Sequence, residues 1–188
     1  MEPLRQTVSC VTGAYLLASG GGKEVGKVHA LTLAGAEPII LTDAGTGATL
    51  SIAMQYDVID TGNTGSERYK IRTRAYDYAF RDFSDREIVS YHWHPLREDG
   101  FLAPHIHASG TKPHLPSGGR ISLESVVRAA ITEFGAEPMR PDWEQVLLVN
   151  ESKFRLYRTW HNEVQLAEHV PAARTAPMSG AKVTGAKS

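Results

Sequence analysis

Five of the chain's eight histidines fall between positions 92 and 114. Four of them form two His-x-His pairs, His92-Trp93-His94 and His105-Ile106-His107, and the fifth is His114. Imidazole titrates closest to neutral pH of all side chains and is the commonest protein ligand for borderline metals. In an extended strand, residues two apart point to the same face, so each pair sets two imidazoles side by side. An antiparallel hairpin turning over residues 95–103 predicts, in its symmetric register, His94 opposite His105 and His92 opposite His107. Opposed side chains lie about 4.5–5.5 Å apart at Cβ, so four rings would form a square on one sheet face.

Such a square supports three kinds of chemistry. As a metal site, His92, His94, His105 and His107 supply the ligands, with Glu98 or Asp99 able to replace one of them. Three imidazoles plus water is the catalytic zinc pattern. Without a metal, the same four are catalytic residues for phosphodiester cleavage, one imidazole removing a proton while another supplies one. Repulsion between close rings lowers their pKa values, so a neutral and a charged partner can coexist. The third possibility is inert: histidines fill a polar sheet face and satisfy one another by hydrogen bonds.

A second feature lies in the strand predicted over 68–80. Its even positions read Arg68, Lys70, Arg72, Arg74, Tyr76, Tyr78 and Phe80. A basic face running into an aromatic one suits phosphates and stacked bases, which makes Arg72, Arg74 and Tyr76 candidate substrate contacts. It is equally the pattern of a solvated strand. Pairing with the strand over 88–94 in an even–even register sets Arg74 and Tyr76 beside His94 and His92, whereas an odd–even register puts the basic face on the opposite side. Downstream, the segment from His114 to Arg120 leads into a capped helix. His114 and Arg120 could serve an anion at its N-terminus, or the segment could be a plain connection. Arg155, Arg158 and His161 form a weaker basic group near Trp160. Gly21–Val28 matches most of a phosphate-binding loop, but valine stands where the magnesium-binding Ser/Thr belongs and a strand follows, so that function is rejected.

The elements that must position these residues follow from periodicity. β-prone runs cover 8–18, 25–33, 39–41, 48–59, 68–80, 88–94 and 105–109, separated by turn-forming segments, which predicts an antiparallel meander. After residue 120 the period changes. Leu123, Val126, Val127, Ala130, Ile131 and Phe134 recur as one face of a helix, with Ser122 as N-cap, Glu124 in the first turn, Ile121 stapled to Val126 and Gly135 as the stop. A second helix starts at Asp142 in a capping box with Gln145, and Phe154–Trp160 could also alternate as a strand. The fold class is α+β, an antiparallel β-sheet meander followed by two C-terminal helices packed on one face. With 188 residues, the chain reads as a single domain over 1–170 and a disordered tail over 171–188.

A net charge of −1 offers no global field for nucleic acid or membrane, so any basic surface is local. One cysteine, Cys10, excludes an internal disulfide framework and reads as a small buried side chain. The apolar run near the N-terminus is too broken for a secretory signal and too short to span a bilayer, so the expected location is cytoplasmic.

The order Arg74-Ala75-Tyr76-Asp77-Tyr78, His92-x-His94, Pro104-His105-x-His107 and Ser122-Leu123-Glu124 resembles the TumE-type toxin family of bacterial toxin–antitoxin systems, over roughly residues 68–135. About 65 additional β-rich N-terminal residues and a second long helix depart from that compact pattern. The resemblance implies an RNA-directed or nucleotide-directed activity, an antitoxin partner, and roles for His92, His94, His105 and His107. The expectation is a phosphodiester-acting, RNA-directed enzyme. The alternatives are a zinc-like metal hydrolase, a structural metal module, or a non-catalytic protein-interaction module.

Overall fold

A computed structural model describes residues 2–41, 47–65, 68–95, 101–111 and 114–161. Glu98 and Asp99, and the tail expected from residue 171, lie outside the described residues. The strands are β1 (Leu16–Ala18), β2 (Val28–Leu33), β3 (Ile39–Leu41), β4 (Ala48–Asp60), β5 (Tyr69–Asp82), β6 (Glu87–Trp93), β7 (His105–Ala108), β8 (Leu115–Pro116) and β9 (Arg158–Trp160). They form one sheet in the order β1-β2-β4-β5-β6-β7-β8, with β3 beside β4 and β9 beside β5. The expected antiparallel meander is present, and β2 and β3 follow one another along the same edge of β4. The exception is β9, which runs parallel to β5 because α3 (Trp143–Tyr157) carries the chain back before it joins the sheet.

The two C-terminal helices, α2 (Leu123–Thr132) and α3, pack on one face as the class predicts, joined there by a short N-terminal helix, α1 (Glu2–Val8). The β-prone reading of 8–18 holds only for its end, at β1. Over α1 the residues turned inward are Leu4, Thr7 and Val8, a helical spacing too brief to show as a period. Ser122 caps α2 as expected, accepting from the Ser125 amide at 3.2 Å. The helix stops at Thr132, yet Phe134 still reaches the core, stacked on Phe80 at 3.9 Å between ring centroids. Asp142 does not form the expected capping box, because the Arg140 guanidinium takes both its carboxylate oxygens.

The helix-facing side of the sheet carries Leu50, Ile52, Met54 and Tyr56 of β4 at alternate positions, against Tyr76, Tyr78 and Phe80 of β5 and Trp93 of β6. Fully burying one such side chain is worth about 1.5–3 kcal/mol, so this face decides the register. The opposite side is small and polar where those strands cross: Ser51 faces Ala79, Ala53 faces Asp77, and Gln55 faces Ala75.

One irregularity reorganises the basic strand. Gln55 pairs with Ala75 but Tyr56 with Thr73, leaving Arg74 as the extra residue of a β-bulge. Inward-facing positions are therefore even at Tyr76, Tyr78 and Phe80, and odd at Thr73 and Ile71. The continuous basic-to-aromatic stripe expected from the alternation is cut in two. Its aromatic part enters the core, while Arg72 and Arg74 turn to the other face and clasp the buried Asp57. Burial opposes ionisation of Asp57, but the two guanidiniums outweigh it and hold the carboxyl below its usual range.

Candidate metal centre

Asp77 pairs with His92 and Tyr76 with Trp93, the odd–even register. Trp93 accordingly goes into the core and His92 to the small, polar side, opposite the helices. Between β6 and β7 the partners are His92 with His105 and Ser90 with His107, two residues away from the symmetric register. Because the slip is even, every histidine keeps the expected face. His94 moves past the end of the β6–β7 ladder, so the four rings do not form the expected square.

They form two adjacent groups instead, each completed by another residue. In the first, His105, His107 and His114 bring one ring nitrogen apiece to within 4.8 Å of one another, and in the second an Asp77 carboxylate oxygen meets one ring nitrogen each of His92 and His94 within the same distance. Each group could hold a metal ion. The groups adjoin: the His92 ring lies 5.5 Å from His105, nearly parallel to it, and 4.7 Å from His107. In the first group the ring centroids lie 5.2 Å apart for His105 and His107, and 4.9 Å from each of these to His114.

Outer contacts orient two of the three rings in the first group. The His105 Nδ1–H donates to the Ala103 carbonyl at 2.8 Å, which leaves Nε2 as the lone-pair nitrogen. His107 sets Nδ1 toward the Glu87 carboxylate at 3.8 Å, and its buried Nε2 has no hydrogen-bond partner among the described residues. Carbonyl or carboxylate behind one ring nitrogen, with the other nitrogen presented to a common point, is how metal-binding histidines are held. His114 reaches the group from the residue before β8, with a positive φ of 64°. Non-glycine residues adopt that conformation uncommonly, and such strain concentrates at functional sites.

Two of these histidines, His92 and His105, resist protonation. Burial lowers the His92 pKa; Asp77 partly opposes this, and His107, His94 and His105 reinforce it. Burial likewise lowers His105; its bond to Ala103 opposes, and His107, His114 and His94 reinforce. Histidine in an unfolded chain titrates near about 6.5, so just below that value the unfolded protein binds more protons than the folded one. The stability that His92 and His105 contribute to the metal-free protein is therefore fully present above about pH 6.5 and is lost as pH falls through their depressed native values. Thermal melts at pH 7.5 and 5.0 should show this loss, diminished in the His92→Gln/His105→Gln double variant. An equal loss in both proteins would assign it to other groups.

The remaining expected contacts are not brought to the histidines. Tyr76 is in the core, where its hydroxyl accepts the Ile121 amide at 3.0 Å. Arg120 lies over the Trp93 ring at 4.4 Å, on the helix side of the sheet, and donates to the His161 carbonyl. Of the two readings of the segment before α2, the contacts fit the plain connection rather than the anion site: Arg120 turns inward onto two tryptophans, and the Ile121 amide is bonded to Tyr76. Arg72 and Arg74 share the histidine face but are engaged by Asp57. Arg158 is buried, ion-paired to Glu124. Asp77 and Glu87 were missed in the sequence. Asp77 stood in plain view between Tyr76 and Tyr78, and only the odd–even register sets it beside His92.

Alongside the second group, a cavity of about 150 Å³ is lined by Ala30, Thr32, Ala53, Gln55, Ala75, Asp77 and His94. A neighbouring one of about 290 Å³ shares Thr32, Ala53 and Asp77 and continues to Glu37 and Arg81. Together they make an open trough floored by small side chains. Among the described residues, no helix is long and apolar enough to cross a membrane. Comparison with protein-family models, curated proteins and solved structures finds no match to this chain.

Proposed function

We propose that this protein is a metal-assisted hydrolase of phosphodiesters, with RNA as the substrate class, in which His105, His107 and His114 hold a zinc-like divalent ion. The observation that carries this is the set of three converging imidazoles, two with the outer nitrogen directed to a carbonyl or carboxylate. Three nitrogen ligands leave one tetrahedral position for water, the pattern of catalytic rather than structural zinc. Bound there, the ion supplies positive charge and makes water acidic enough to attack near neutral pH. In the reaction the water oxygen bonds to phosphorus and its proton passes to solvent. The bond from phosphorus to the leaving oxygen breaks, and that oxygen takes a proton from solvent.

The metal-free scheme needs a cation for the phosphate, and the guanidiniums it relied on are committed elsewhere: Arg72 and Arg74 to Asp57, Arg120 above Trp93. A bound ion supplies the missing charge. The open trough leading to Asp77 and His94 favours an extended polymer over an enclosed small molecule. The toxin resemblance agrees with an RNA substrate and an antitoxin partner.

Elemental analysis of protein purified without a histidine tag should find zinc or a similar ion, removable by chelation with loss of activity but not of fold. Unfolding on chelation would indicate a structural site, and absence of metal would remove the proposal. Expression in a bacterial host should be toxic, with new ends in cellular RNA, and the His105→Ala/His107→Ala variant should be harmless. Intact RNA alongside toxicity would exclude RNA as the substrate.

A further inference from the structure

We propose that Asp77, His92 and His94 form a second cation site beside the first, so that this sheet face carries a pair of divalent ions. The inference rests on the function proposed above and deepens it.

The spacing of the donors carries it. His92 Nδ1 lies 3.4 Å from His94 Nε2 and 3.5 Å from Asp77 Oδ2. Hydrogen bonds from a ring N–H to nitrogen or oxygen favour about 2.9–3.0 Å. Two donors bound to one tetrahedral ion at about 2.0–2.1 Å stand about 3.3–3.4 Å apart. Both separations from His92 are close to that spacing, and the three donor atoms all lie within 4.8 Å of one another. A single ion placed among the three atoms satisfies all of them at once, which pairwise hydrogen bonds at these distances do not.

The surroundings fit the same assignment. His92 Nε2 is 2.7 Å from the hydroxyl of fully buried Ser90. With an ion bound, Nε2 keeps its proton and donates to Ser90, which turns the Nδ1 lone pair toward Asp77 and His94. Two imidazoles and one carboxylate form a ligand set that leaves positions open for water or substrate. Asp77 adds a negative charge that the first group lacks, so the second site is the better host for a harder cation. It also opens onto the trough, through Asp77 and His94.

A pair of ions narrows the substrate. With His105, His107 and His114 holding one ion and Asp77, His92 and His94 another, the pair would supply positive charge to both the attacking and the leaving oxygen of an in-line displacement at phosphorus. The proton balance is unchanged: water gives its proton to solvent, and the departing oxygen takes one back. The predicted substrate is a phosphodiester whose chain lies along the trough and whose leaving oxygen faces Asp77 and His94.

The test is metal stoichiometry in the full chain, purified without a tag, stripped, reloaded with zinc and dialysed. Wild type should retain two ions per chain, Asp77→Asn one, and His107→Ala one. Affinity of the second ion should fall about 10–100-fold or more in Asp77→Asn. Cobalt substitution separates the sites, because each variant should lose a different part of the visible spectrum. Thermal melts of the metal-free variants check that each is folded, and Asp77→Glu should restore the second ion if Asp77→Asn is unstable. One ion per chain in wild type, unchanged by Asp77→Asn and lost in His107→Ala, would overturn the second site and leave the proposed function standing. No retained ion would overturn both.

Discussion

Substitution of His107 by alanine is expected to abolish hydrolysis while leaving the fold intact. His107 is only partly buried and its Nε2 makes no hydrogen bond among the described residues, so truncation removes only the 3.8 Å approach of Nδ1 to Glu87, whose partly exposed carboxylate keeps Arg81 beside it. The loss falls on the ion. Metal-assisted stabilisation of a transition state is worth several kcal/mol, and about 1.4 kcal/mol is tenfold in rate. Loss of a ligand that releases the ion should therefore lower kcat/KM about 10³-fold. A generic phosphodiester probe such as bis-p-nitrophenyl phosphate measures this without knowledge of the natural substrate. The metal-free variant and metal-free wild type should melt within a few degrees of each other. Wild-type turnover in the variant would remove His107 from the chemistry.

The largest effect on stability is expected at Arg158, far from the histidines. Its guanidinium reaches the Glu124 carboxylate and the Asn150 carbonyl, and both charged side chains are shielded from solvent. Glu124 also accepts from Thr7, and the Asn150 amide donates to Thr7 and to the Pro3 carbonyl. One buried polar network thus joins all three helices to β9. Arg158→Ala leaves the Glu124 carboxylate unpaired in the interior, a change that costs about 3–5 kcal/mol. For a chain of this size that lowers Tm by about 10 °C. The double change Glu124→Leu/Arg158→Met, which removes both charges and keeps the volume, should restore most of the loss. A drop in the double variant equal to that of Arg158→Ala would show that packing, not charge, is at stake.

These two predictions differ in how far the sequence foretold them. The histidines were legible because the His-x-His pattern survives any even slip in register: the pairing differed by two residues from the symmetric one, and the face was still right. Glu124 does sit in the first turn of α2, as its position predicts, but its burial and its partner were not legible. Acidic residues there ordinarily meet water and the helix dipole. The partner of Glu124, Arg158, lies 34 residues on and arrives only when α3 returns the chain to β5. No local pattern encodes that meeting.

The arginine strand shows the same limit from the other side. Alternation along 68–80 was read as one continuous face, which holds only for an unbroken strand. The bulge at Arg74 inverts the parity, because one extra residue in a period of two exchanges inside for outside. Tyr76 went into the core and Arg72 out toward Asp57 as a direct consequence.

By itself the sequence determined the fold class, the period change near residue 120, the capped helix at Ser122, and the concentration of imidazoles on one face of two adjoining strands. These follow from local spacing, since strand and helix periods and caps are written in neighbouring residues. Tertiary structure alone decided how the histidines divide. The β6–β7 register set His92 opposite His105, the β5–β6 register delivered Asp77, and His114, at a positive φ just before β8, completed the first group. Register answers to the whole core, where Trp93, Tyr76, Tyr78 and Phe80 must all be buried at once, and the metal-ready groups on the far side of the sheet take their geometry from that requirement.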